Sequence, residues 1–475
     1  MKGSLRVGLA LSLLAICAGC GDTFRPIIIP NPPAFPDPRA AHTVVSINNN
    51  GTSNPGSVMV IDVSGDTDEG VANVGLVPVH AVQQTANQVL VVNQASSSGS
   101  ANSLMKVDFL GVVINGNPTT ISLPADSGPS FVAVAPGDTT AYVTLPNVVP
   151  DPVNFPNDNA VGAVSTISDA LVATIKVGNC PVAIAVTPDK NKLYVANNSS
   201  TCNPSAAGGS MSDFNTIDRS LRPLDLNGFS NPFNAPVWVS ARSDSQRVYV
   251  LDVLNGDGTL TTLDTTSQAG TTDKVVAAGL PVGPGAYMLY DVILNRIYVP
   301  SGKQITIVDV SQDPPTILGN NGNPIPIATV PPASRNPQDV CANSTAQDVT
   351  AVAVAALPDG SRAYVGSFYK DAATGNLCPQ VTVINTSGNT VKTSIAVPGF
   401  PNYDTFCSTT RFRFTMAAGG DSSRIYLASC DAGNVNIIRT SDDTYLLNLP
   451  APPSARPPVG NQPPPQNPVF LIAGP

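Results

Sequence analysis

Side chains able to do chemistry are scarce in this chain. Two histidines, His42 and His80, serve 475 residues, and glutamate occurs once, as Glu69 in "GDTDEG". Two imidazoles are too few for a multi-histidine metal site and leave little for general acid–base work. Paired-carboxylate chemistry would rest on Asp alone. Asp does recur after apolar runs, at Asp62, Asp108, Asp218, Asp264 and Asp309. A carboxylate ring around a metal is one reading; the favoured one has each Asp cap the following turn by accepting backbone N–H bonds. "GDTDEG" and "NGDGT" at 255 offer oxygen ligands for a structural calcium ion, without the spacing of a twelve-residue calcium loop. No other cofactor is expected. There is no G-x-S-x-G elbow and no phosphate-cradling glycine loop. No catalytic, cofactor-binding or metal-ligating residue is therefore assigned.

The elements that would position any site show a repeat. "NKLYVANNSS" at 191 is echoed by "TTAYVTLPN" at 139, "QRVYVLDV" at 246, "NRIYVPSG" at 295, "SRAYVGSF" at 361 and "SRIYLASC" at 423. Upstream of each lies an apolar strand closed by a Pro/Asp/Gly turn, as in "PVAIAVTPDKNKLYVAN"; downstream lie an alternating strand, as in "ITIVDVSQ", and a last short one, as in "NTVKTSIAVPG". Four strands per unit with tight turns describe one blade of a β-propeller, an all-β fold.

These repeats resemble the YVTN-type β-propeller repeat family over most of the chain from about residue 41, a likeness that implies the fold and no particular activity. Six copies carry the tyrosine, at Tyr142, Tyr194, Tyr249, Tyr298, Tyr364 and Tyr426; two earlier copies have Leu90 and Val44 there. Eight blades are therefore favoured, with seven the alternative. The first unit lacks its innermost strand, and the chain ends in the unmatched apolar segment "VFLIAGP" after a Pro-rich stretch, 450–468. Pairing of 469–473 beside 42–47 would close the ring. The tyrosines are expected to pack between blades rather than line a ligand platform. Trp238 is the only tryptophan, too few for the stacked aromatic pocket of a quinone-cofactor propeller. His80 is expected just before the innermost strand of the second unit, exposed or packed.

Residues 1–19 read as an export signal, with Lys2 and Arg6 ahead of the apolar run that ends "AICAGC". The segment resembles a bacterial lipoprotein signal in which Cys20 is acylated, although Cys17 stands where that pattern usually has Leu; a simple secretory peptide cut near Ala18 is the alternative. Residues 20–40 form a Pro-rich tether, and 41–475 a single propeller domain. Loss of Lys2 and Arg6 takes the formal charge from −9 to −11, which argues against nucleic acid. The expected address is the cell envelope, most naturally the outer membrane.

With Cys17 cleaved and Cys20 lipidated, six cysteines remain, an even number suited to an oxidising compartment. The loop entering the first strand of a blade and the loop joining its second and third strands emerge on one face. That relation predicts three bonds within blades, Cys180–Cys202, Cys341–Cys378 and Cys407–Cys430. The long insertions fall in the same loops, making that face the candidate binding surface. The favoured function is a membrane-anchored binding or scaffold module for a protein, glycan or envelope polymer. The alternative is a hydrolase or lactonase-like enzyme with its site at the channel mouth.

Overall fold

The computed structural model describes residues 43–473 apart from 96–100, 136, 203–207, 268–271, 320–321, 346, 402–406, 409 and 457–462. His42, Cys20, and the expected signal and tether lie outside the described residues. Eight sheets, each with four principal antiparallel strands a to d, stand in a ring as an eight-bladed propeller, so the seven-blade alternative falls. In blades 1 to 8 the innermost a strands are Asn467–Ala473, Pro78–Thr85, Val132–Val134, Pro181–Val186, Pro236–Ala241, Leu289–Asp291, Thr350–Ala356 and Phe414–Ala418. His80 lies within the a strand of blade 2, not before it.

Blade 1 is completed from the far end of the chain. Thr43–Asn49 is its b strand and pairs with Asn467–Ala473, Val44 opposite Ala473 and Asn49 opposite Asn467. Ser57 then donates to Gln466 Oε1 at 2.7 Å across 409 residues of sequence.

The repeated "YV" step is apolar on both sides because b strands are covered on both faces by neighbouring blades. Every residue of Lys192–Asn198 is buried, whereas the outer d strand Ala170–Lys176 alternates exposed and covered positions. All six repeated tyrosines are buried. Each ring removes enough apolar surface from water to contribute about 2–3 kcal/mol.

The face formed by the a–b and c–d turns carries a second repeat. Two residues before five of the tyrosines stands a base, Lys192, Arg247, Arg296, Arg362 or Arg424, and each reaches the c–d turn of the next blade. Arg424 Nε donates to Asp66 at 2.9 Å, Arg362 to Asp443 at 2.6 Å, Arg247 Nε to Asp313 at 2.8 Å and Arg296 to Asn389 at 3.1 Å. Lys192 meets Asp273 at 2.8 Å. Tyr194 donates to Asp273 and Tyr364 to Asp443. Asp66, Asn389 and Asp443 have φ of 52°, 49° and 55°, a left-handed turn position that Asp and Asn tolerate best among side-chain-bearing residues. One residue thus shapes the turn and receives the neighbouring blade.

Between blades 4 and 5, Asp273 lies beside Asp213, and both are buried. Burial and the Asp273 charge push Asp213 up; desolvation pushes Asp273 the same way, but hydrogen bonds from Lys192, Ser267 and Tyr194 outweigh it and hold Asp273 down. Of the five Asp expected to cap turns, Asp62, Asp218, Asp264 and Asp309 accept the N–H two residues on at 2.8–2.9 Å. Asp218 does so from within the c–d turn. Asp108 instead accepts from Gln88 Nε2 at 2.6 Å.

Candidate binding site

The opposite face is built from d–a and b–c loops. Its bonds Cys180–Cys202, Cys341–Cys378 and Cys407–Cys430 each staple the approach to an a strand to the b–c region of the same blade, with Cα separations of 5.8–5.9 Å. The long d–a loop of blade 7 is also held by Arg335, whose buried guanidinium donates to Val397 O at 2.8 Å and Pro379 O at 2.9 Å.

At the centre of this face the channel narrows onto an aromatic floor. In four blades a ring of the floor stands two residues before the cross-strand partner of the repeated b-strand residue. Leu90, Tyr142, Tyr249 and Tyr298 pair with Val82, Ala133, Ser240 and Leu289, which puts His80, Phe131, Trp238 and Tyr287 in equivalent places. Phe412 and Phe470 complete a closed circuit of ring contacts. Centroids are 4.0 Å apart for His80 and Phe131, 5.1 Å for Phe131 and Trp238, and 5.6 Å for Trp238 and Tyr287. The circuit continues at 5.9 Å to Phe412, 5.5 Å to Phe470 and 4.5 Å back to His80.

Arg411 lies over this floor. Its guanidinium carbon is 5.1 Å from the Trp238 ring, 5.3 Å from Phe412 and 5.8 Å from Phe131. It crosses from blade 8 to donate to Val182 O of blade 4 at 2.7 Å and Val237 O of blade 5 at 2.6 Å. Protein atoms surround the group and desolvation lowers its pKa to about 10, yet the side chain remains open to water from the cavity above. It is cationic at neutral pH on either consideration. No carboxylate pairs with it among the described residues, whereas Arg413, two residues on, pairs with Asp431 at 2.5 Å.

His80 takes no charge here. Burial, with help from the Arg411 cation, lowers it to about 3, and its Nδ1 accepts the Val132 N–H at 3.4 Å. The proton of this neutral imidazole therefore sits on Nε2.

Above the floor is a funnel of about 560 Å³ walled by Val77, Val79, Val182, Val237 and Val469, with Gln94, Ser130, Thr201 and Thr410 spaced around it. A volume of this order suits a small organic ligand. Below the floor, toward the turn face, a separate cleft of about 270 Å³ is lined by Tyr290, Val354, Met416 and Leu471 among others.

No group of three or more His, Cys, Asp or Glu is gathered among the described residues. The oxygens of "GDTDEG" are engaged separately: Asp66 by Arg424, Asp68 by the Gly70 N–H at 3.0 Å, and Glu69 by the Thr67 hydroxyl at 2.5 Å. In "NGDGT", Asn255 and Gly256 form a two-residue hairpin turn with φ of 55° and 88°, between Leu254 and Asp257.

Sequence reasoning placed the cysteines but missed Arg411 and the aromatic floor. The readable signal for the floor was the inward position shared by "PVHAV", "PSFVAV" and "PVWVSA", where a large ring replaces the Ala183 of "PVAIAV".

No family model and no curated protein matches the chain. Among solved structures, apo AztD from Citrobacter koseri aligns with a TM-score of 0.52 and 12% identity, covering 91% of this chain and 98% of that one. Dihydro-heme d1 dehydrogenase NirN, solved in complex with DHE, aligns at 0.55 and 12%, covering 93% and 78%. At such identities the likeness establishes the propeller fold alone.

Proposed function

We propose that the chain is an extracytoplasmic propeller of the YVTN type that binds a protein, glycan or envelope polymer through its loop face, anchored by acylated Cys20 to the outer membrane. One observation carries the reading: the long insertions, the three disulfides and the funnel mouth share one face, while the opposite face is built of tight turns. Variable loops stapled to a rigid scaffold are how binding surfaces are commonly made. The disulfides favour an oxidising compartment. The rival reading, a hydrolase or lactonase-like enzyme at the channel mouth, needs an acid or base in the funnel. The described lining offers Arg411 with neutral amides and hydroxyls, and His80 is held deprotonated in the floor.

Photo-crosslinking residues placed at Val153 and at Ile217 test the face. Both are exposed, 86% and 80%, Val153 in a b–c loop and Ile217 in a c–d turn. Adducts in envelope preparations are expected from Val153 only; adducts from Ile217 alone would overturn the assignment. Labelling with a radioactive fatty acid is expected to vanish in Cys20→Ala, and retained label would refute the anchor.

A further inference from the structure

We infer that the funnel is a site for a small amphipathic carboxylate, with Arg411 receiving the acid and the valine wall and aromatic floor receiving the apolar body. The site belongs to the loop face of the proposed function, but it does not depend on a macromolecular partner or on the membrane anchor.

The argument begins with charge. The chain is acidic overall, at −9, and Arg411 is held at the base of a mostly apolar funnel without a carboxylate partner among the described residues. The cavity leaves one side of the guanidinium open, where an anion can reach it and form charge-assisted hydrogen bonds. A guanidinium has five N–H donors, and the two hydrogen bonds to Val182 and Val237 leave donors for a ligand. Those two bonds, and the three rings beneath, fix the guanidinium before any ligand arrives, so little side-chain entropy is lost on binding.

The number of charges limits the ligand. One cation balances a monoanion; a phosphate dianion would leave an unbalanced charge among valines and face repulsion from the acidic molecule. A sugar fits poorly too, since hydroxyls against Val79, Val182, Val237 and Val469 would lose hydrogen bonds to water with no replacement. A carboxylate at one end of an alkyl or aryl body satisfies both the cation and the wall. Gln94, Ser130 and Thr410 can pair with one further polar group near the rim.

Trp238 is the only tryptophan and part of the floor, so its fluorescence reports occupancy directly. The test titrates the intact disulfide-bonded chain with octanoate and, separately, with octanamide, its neutral counterpart of nearly the same shape. Octanoate is expected to change Trp238 emission saturably and to bind about tenfold or more tighter than the amide, as charge-assisted hydrogen bonds require. Arg411→Met is expected to abolish the preference for acid over amide, and Arg411→Lys to keep part of it. Equal affinity of acid and amide for the native chain overturns the inference, as does an emission that octanoate leaves unchanged. Should Arg411→Met fail to fold by circular dichroism, the comparison on the native chain decides alone. A failed titration alongside specific adducts from Val153 would remove the small-ligand site and leave the binding face standing.

Discussion

The two faces of the ring solve one problem, holding neighbouring strands in place, by different chemistry. On the turn face the solution is repeated: a base two residues before the tyrosine reaches the next blade's turn, from Lys192 to Arg424. On the loop face the loops themselves do not repeat, since the insertions differ in length and sequence, and order comes instead from three covalent bonds and from Arg335. The device recurs in five of the eight blades, where the c–d turn holds an Asp or Asn within reach of the base. Where length varies, a bond that needs only two cysteines within reach takes over. The turn face should therefore respond to salt and the loop face to reductant.

The largest effect is expected from reducing all three disulfides. Each closes a loop of 22–37 residues, worth about 3–4 kcal/mol on the chain-entropy view. Thermal melting with and without reductant measures the sum, and hydrogen exchange should show protection lost first around 208–215 and 327–345. Uniform loss over both faces would break the contrast. Next comes Asp443, which accepts from Arg362, Tyr364 and Lys392. Asp443→Ala is expected to cost about 2–3 kcal/mol by denaturant unfolding, below the range for fully buried pairs because Arg362 and Lys392 stay partly wet. Asp443→Asn, which keeps the turn, should cost less. Raising salt to about 1 M should shrink the Asp443→Ala difference and leave the effect of reductant unchanged.

The third prediction concerns the floor. Unfolded, His80 takes a proton near 6.5; folded, it resists to about 3. Between those values the unfolded chain binds one proton more, so stability that is full above pH 6.5 falls as the pH drops, by about 1.4 kcal/mol per unit from this group. His80→Phe should flatten the slope of unfolding free energy against pH between about 6 and 4 relative to the native chain. An unchanged slope would show that the imidazole already takes a proton in the folded state. The smallest effect is expected at Lys392, half exposed, where Lys392→Met should change stability by less than about 0.5 kcal/mol.

The fold was legible because its signal is redundant. The b strand of each blade meets the same double-sided burial, so selection of Tyr and Val writes one word many times, and the turn chemistry punctuates it. The base in "NKLYV", "QRVYV", "NRIYV", "SRAYV" and "SRIYL" was equally repetitive, and its partner only became visible once blades were placed in order. The site was not legible for the opposite reason. His80, Phe131, Trp238, Tyr287, Phe412 and Phe470 differ in type and are spread over the whole chain; each alone reads as an ordinary strand hydrophobe. Closing the ring makes them neighbours. Arg411, in "STTRFRF", has a loop's sequence, and only the carbonyls of blades 4 and 5 across the channel show where it points.

Completion of blade 1 by Asn467–Ala473 sets an order of events during synthesis. Thr43–Asn49 waits with one edge bare until Asn467–Ala473 has been made, so the circle can be locked only after all the other blades exist. Bringing such distant partners together is slow and leaves a sticky edge in the meantime.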